Sequence, residues 1–256
     1  MQQLKYQVKT FHNVRYIEEG SGQPIIFLYG LFGSLKNFES QVDFFKDKYR
    51  VIVPDLPLLE LNMLKTNLNG VVDIVIDFIK DRNISNFHLL GNSLGGHIAL
   101  KYALEFPENL KSLSLTGSSG LFESGMGDSY PKRGDYNYIK EKVEYTFYNP
   151  EVSNKELVDE VFEIVTDRVK CLKIINLARS AIKSNMADQL YKLTMPTMII
   201  WGNNDKITPP DVAYEFKKLL VNSEVHFIDE CGHAPMMERP EQFNALLNKF
   251  LNRIDS

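Results

Sequence analysis

The sequence predicts an α/β fold: a mostly parallel central sheet with helices on both faces, carrying an inserted helical cap. Three observations carry this expectation. Apolar runs of strand length alternate with helical periodicity from Pro24 to Thr116, a rhythm that implies right-handed crossovers between parallel strands. The rhythm stops after Thr116 and resumes only at Met195. Finally, Leu89-Leu90-Gly91-Asn92-Ser93-Leu94-Gly95-Gly96-His97 pins a serine where a buried strand turns abruptly into a helix. Residues 1–117 and 191–256 are therefore expected to form the core, and 118–190 the helical cap.

Taken in order, residues 3–20 alternate between polar and apolar and break at Gly20-Ser21-Gly22, the pattern of an antiparallel hairpin. Pro24–Tyr29 is a continuous apolar run, as in a strand covered on both faces. Gly30-Leu31-Phe32-Gly33-Ser34 forms a loop before a helix at about 37–47, and Tyr49–Asp55 is a second buried strand. Val71, Ile74, Val75, Phe78 and Ile79 recur at helical spacing within 70–80. The serine-bearing strand and its helix follow, the helix stopping near Pro107, and Leu110–Thr116 is another strand. The cap begins with Gly, Ser and Asp, carries Tyr130, Tyr136, Tyr138, Tyr145, Phe147 and Tyr148, and shows helical patterns at 153–170 and 171–184. Met195–Gly202 then reads as a strand, 209–220 as a helix, 224–228 as a strand and 240–252 as a final helix.

With 256 residues, 44% of them hydrophobic, the chain can bury a full core as one domain with an insertion. A net charge of -4 with scattered Lys and Arg argues against nucleic acid and against a membrane surface as partners. Cys171 and Cys231 offer neither a disulfide framework nor metal spacing, and the N-terminus lacks a signal-peptide apolar core. A cytoplasmic protein, monomeric or homodimeric, is expected.

A serine hydroxyl needs a base within hydrogen-bond reach, and the base needs an orienting group. Of the five histidines, His12, His88, His97 and His226 sit in a hairpin, strands or a helix, whereas His233 lies just past the last strand, in Glu230-Cys231-Gly232-His233-Ala234-Pro235. Sites in open α/β sheets assemble at the carboxyl ends of strands. Asp205 lies in the loop Trp201-Gly202-Asn203-Asn204-Asp205-Lys206-Ile207-Thr208-Pro209; alone it reads as a turn or cap residue. Together Ser93, Asp205 and His233 follow the chain order Ser…Asp…His, each past a parallel strand, and are the candidate triad. The backbone N–H groups of Leu94 and Leu31 are the candidate oxyanion donors.

Gly91-Asn92-Ser93-Leu94-Gly95-Gly96, Trp201-Gly202-Asn203-Asn204-Asp205, Cys231-Gly232-His233 and Glu238-Arg239-Pro240 occur in an order that resembles the α/β-hydrolase superfamily over nearly the whole chain. The resemblance implies Ser93 as nucleophile, His233 as general base and then acid, and Asp205 as its orienting partner. Serine rather than aspartate at 93 points away from the haloalkane dehalogenase and epoxide hydrolase branches. Asn92 and Cys-Gly-His look like the branch that hydrolyses carbon–carbon bonds in ring-fission products. Against that branch, Ala234 stands where it usually has an aromatic residue, the Gly30–Ser34 loop is not Gly-Pro-Gly-like, and its cap arginine has no anchored counterpart, Arg168 and Arg179 being the candidates. Tyr29 replaces the histidine that commonly opens the oxyanion loop, so that loop's anchoring hydrogen bonds must differ. The apolar run Leu58–Leu64 replaces a Gly-His-Gly turn and is expected to pack under the cap or against a partner.

The resulting expectation is a serine hydrolase acting on an ester or thioester with a small to medium acyl group. Its substrate is a small molecule, and no metal or organic cofactor is implied. Phe32, Ile207, Tyr145 and Phe147 are expected to line a mainly apolar pocket. Two alternatives stay open: hydrolysis of vinylogous diketones, and a ligand-sensing protein that retains the triad.

Overall fold

Residues 4–122 and 132–256 are described by a computed structural model. Strands β1 (Lys9–Phe11) and β2 (Val14–Glu19) form the antiparallel hairpin expected near the N-terminus. β3 (Gln23–Leu28), β4 (Tyr49–Asp55), β5 (Phe87–Asn92), β6 (Leu110–Thr116), β7 (Thr197–Gly202) and β8 (Ser223–Ile228) fall within a residue or two of the apolar runs. They make one eight-stranded sheet in the order β1-β2-β4-β3-β5-β6-β7-β8. The hairpin joins through β2, which runs antiparallel to β4, and every later pairing is parallel. β5 and β7 are buried along their whole length, because helices cover both faces of the sheet's centre.

The helices of the core are α1 (Glu39–Phe45, preceded by a 3₁₀ turn over Leu35–Phe38), α2 (Leu68–Asp81) and α3 (Leu94–Glu105). α2 begins two residues before the expected start at 70, because Asn67 caps it: the Asn67 Oδ1 accepts from Gly70 N at 3.1 Å. Between β6 and β7 lie α4 (Tyr136–Glu144), α5 (Lys155–Thr166) and α6 (Arg168–Lys183). Part of the expected cap, 123–131, lies outside the described residues. α4 is an addition to the expected elements, with only Ile139 and Val143 buried and Asp135 capping it through Tyr138 N. The break between α5 and α6 falls at Asp167 rather than after 170. That residue is extended, and its Oδ1 accepts from Val169 N at 2.8 Å and Lys170 N at 2.9 Å. α7 (Pro210–Leu219), the four-residue α8 (Pro235–Glu238) and α9 (Pro240–Asp255) complete the chain.

The Leu58–Leu64 run divides. Leu58 joins the core and Leu61 packs against it, while Lys173 of α6 donates to the Leu59 carbonyl at 2.5 Å. Leu64 is 91% exposed, so only the first half of the run packs. Among the described residues no helix is long and apolar enough to cross a membrane.

Candidate functional site

The site is built at the carboxyl ends of β3, β5, β7 and β8. Ser93 follows β5 directly and precedes α3, with φ 54° and ψ -121°, a left-handed conformation that a serine adopts only where its surroundings enforce it. The surroundings are backbone. A Cβ on Gly91 would sit 2.3 Å from the Gly95 carbonyl oxygen, and one on Gly95 2.2 Å from that of Leu28. Only glycine lets the turn close this tightly against β3. The Ser93 N–H donates to the Thr116 carbonyl at 3.1 Å and its carbonyl accepts from Gly96 and His97, which locks the turn to β6 and to the first turn of α3.

His233 lies in the loop between β8 and α8, 6% exposed. Its Nδ1 is 2.9 Å from Asp205 Oδ2. Asp205 is 3% exposed and fully engaged. Oδ1 accepts from Ile207 N at 2.8 Å and Thr208 N at 2.9 Å, and Oδ2 accepts from Thr208 Oγ1 at 2.8 Å as well as facing the imidazole. Asp205 is thus both the turn residue its local sequence suggests and the partner of His233. It does not cap α7, whose first residue is Pro210.

Ser93 and His233 border one cavity of about 210 Å³, lined mostly by apolar side chains. Phe32, Ile207 and Phe147, expected to line a pocket, border this cavity, and so do Leu31 and Leu94, the candidate oxyanion donors. Tyr145 does not: it is 50% exposed, outside the lining, with Lys206 Nζ 5.0 Å above its ring. The C-terminal end of α4 turns its buried side toward the core, so Val143 and Phe147 face the cavity and Tyr145 faces solvent. Arg179 and Lys142 also border the cavity; Arg168 does not. Among the described residues no group of three or more His, Cys, Asp or Glu side chains could hold a metal ion.

The Gly30–Ser34 loop is tight against the serine: a Cβ on Gly30 would lie 2.9 Å from Ser93 Cβ. Gly33 N donates to the Gly30 carbonyl at 3.0 Å, closing a turn that carries Leu31. Tyr29 supplies the altered anchor. Its buried hydroxyl donates to Asp55 Oδ1 at 2.5 Å and accepts from Leu56 N at 2.7 Å, tying the loop to the end of β4. Burial, and then the Asp55 carboxylate, push the Tyr29 pKa well up, so the hydroxyl keeps its proton.

The contacts of three further residues were not expected from the sequence, although Asn92 and Glu238 stand in the motifs quoted above. Thr208 holds Asp205, a role whose signal is the Asp-x-x-Thr spacing of a side-chain-capped turn. Asn92 Nδ2 donates to the carbonyls of Thr116 at 3.0 Å and His233 at 3.1 Å, joining the elbow strand to the histidine loop. Glu238 accepts from Gly232 N at 2.8 Å. The last two contacts span more than 100 residues or a loop, and no local pattern announces them.

A family model described as the alpha/beta hydrolase family matches residues 27–246. The chain is 27% identical to a 2-hydroxy-6-oxononadienedioate/2-hydroxy-6-oxononatrienedioate hydrolase of a Pseudomonas species, over 92% of this chain and 90% of that one. It is 26% identical to Lipase 1 of Psychrobacter immobilis, over 85% of this chain and 75% of that one. Among solved structures, MGS-MChE2, an alpha/beta hydrolase enzyme from the metagenome of sediments of the Mar Chica lagoon in Morocco, superposes with a TM-score of 0.81 at 41% identity, covering 98% of this chain and all of that one. A family match across most of the chain, on an eight-stranded and mostly parallel sheet, leads to one conclusion: this protein belongs to the alpha/beta hydrolase family and is a hydrolase.

Proposed function

We propose that this hydrolase cleaves a small to medium carboxylic ester or thioester through an acyl-enzyme on Ser93. The observation that carries the reading is the elbow serine, held at φ 54°, bordering the same cavity as a histidine whose Nδ1 is 2.9 Å from a buried carboxylate. With Nδ1–H directed at Asp205, Nε2 is the nitrogen left to take the Ser93 proton as Oγ attacks the carbonyl. The same imidazole then returns that proton to the leaving alcohol, and water releases the acyl group. Leu31 and Leu94 offer their N–H groups to the oxyanion; Leu94 opens α3, where the helix dipole also favours negative charge. Helices α4, α5 and α6 serve as a cap that walls the cavity. The reading calls for a small-molecule substrate and no cofactor.

Arg179 and Lys142 favour a second reading. Two cationic side chains border a cavity that no Asp or Glu lines among the described residues, which suits an anionic substrate such as the dioate named for the Pseudomonas relative. Hydrolysis of a carbon–carbon bond in a vinylogous diketone acid would use the same serine and histidine.

The deciding experiment compares p-nitrophenyl acetate, butyrate and octanoate with wild type and Ser93→Ala. Rapid turnover that the substitution removes, by at least about a thousandfold, is expected. Negligible ester turnover by a folded wild type, with activity on a ring-fission diketone acid, would replace the first reading by the second.

A further inference from the structure

Glu238 ends α8 and is buried, yet both its oxygens face backbone N–H groups instead of a cation. Oε1 accepts from Gly232 N at 2.8 Å, immediately before His233. Oε2 accepts from Tyr148 N at 2.7 Å and Asn149 N at 3.4 Å, in the chain between α4 and α5. A direct bond runs in parallel, from His233 N to the Thr146 carbonyl at 2.9 Å. The packing leaves no slack. A Cβ on Gly232 would lie 2.7 Å from the Thr146 oxygen, 2.8 Å from Tyr148 N and 3.0 Å from Glu238 Oε1.

The segment held in this way is also cavity wall, since Thr146 and Phe147 line the space beside Ser93. A displacement of 146–149 therefore changes the cavity's shape and pulls on the histidine loop at once. Burial pushes the Glu238 carboxyl pKa up, and the backbone donors pull it back, as expected of a carboxylate without a counter-ion.

We propose that Glu238 is a positioning residue that couples the segment between α4 and α5 to His233, so that the imidazole is aligned only while that segment is seated on the core. The inference rests on the reading of Ser93 and His233 as nucleophile and base. Substrate that packs against Thr146 and Phe147 would thereby tighten the base it needs, a link between cavity filling and proton transfer that the triad itself does not contain.

Two measurements test it. In Glu238→Gln the side-chain length is kept, but the amide nitrogen is a donor facing an N–H, so one side of the clip is lost. In Glu238→Ala both sides go. The expected result is a kcat lower by roughly tenfold in the first and roughly a hundredfold in the second, with KM changed by less than about threefold, the signature of misalignment rather than lost binding. A kcat unchanged in both variants, or a loss confined to KM, would overturn the proposal. Hydrogen exchange on the wild-type protein provides a readout that does not depend on the variants folding. The amides of Tyr148, Gly232 and His233 should open as one unit with a common free energy; independent opening would overturn the coupling. If Ser93→Ala retained turnover, the reading of the nucleophile would fail, while the exchange experiment would still judge the clip.

Discussion

Asp205 shows how one carboxylate serves two structures. Its Oδ1 closes the turn through Ile207 N and Thr208 N, and that turn aims Oδ2 at His233. Oδ2 takes the Thr208 hydroxyl as well, so the carboxylate cannot rotate without breaking several bonds together. Asp205→Asn keeps the shape but sets an amide donor against the Nδ1–H and the Thr208 hydroxyl, or forces the wrong imidazole tautomer. The expected outcome is a kcat lower by about four orders of magnitude with the far-ultraviolet spectrum unchanged, measured on the best p-nitrophenyl ester. The candidate triad was legible because Ser93, Asp205 and His233 each sit in a short motif of their own at a strand end. Tyr145 was misplaced because sequence shows that an aromatic is present, not which side of a helix end it leaves from.

At the scale of an element, α3 carries the clearest consequence. The helix that follows Ser93 is nearly all buried, and His97 within it is 0% exposed. Burial, helped by Lys101, holds the His97 pKa down at about 4, against a smaller pull from the Ser184 carbonyl. Between about 4 and the ordinary 6.5 the unfolded chain binds a proton that the folded chain refuses. Stability from this group is therefore full above pH 6.5 and falls as the pH drops toward 4, by about 3 kcal/mol in all. Urea unfolding of wild type and His97→Gln at pH 7.5 and 4.5 checks this. The variant should show a smaller loss on acidification, other titrating groups being shared; equal losses would contradict it. The elements were legible where period and length agree, as in β5, α2 and α9. α4 was not, because its stripe is short and its aromatics stand on several sides.

At the scale of the molecule, one side chain of the C-terminal helix reaches three strands of the sheet. Asp255 at the end of α9 accepts from Tyr49 Oη of β4 at 2.9 Å, lies 3.3 Å from His88 Nε2 of β5, and pairs with Lys111 of β6. Burial alone would raise its pKa; the Lys111, His88 and Tyr49 contacts outweigh that and lower it. A lowered carboxylate adds stability above its unfolded pKa and loses it as the pH falls through the folded value. Asp255→Ala should therefore reduce the thermal midpoint at pH 7, with a smaller effect at pH 3, as scanning calorimetry would show. A larger effect at pH 3 would reverse the assignment.

The sequence by itself determined the alternation of strands and helices, the serine between glycines where a strand turns into a helix, and the short motifs that carry Asp205 and His233. Each of these depends on residues within a few positions of one another, where sterics, periodicity and hydrogen-bonding geometry act. Tertiary structure alone decided that β2 pairs with β4, that Arg179 and Lys142 border the cavity while Tyr145 does not, and that Asn92 and Glu238 reach the histidine loop. Those contacts join parts of the chain that meet only when the sheet twists and the helices pack on it. Their partners are largely backbone groups, which every residue carries and which therefore leave no mark in the sequence.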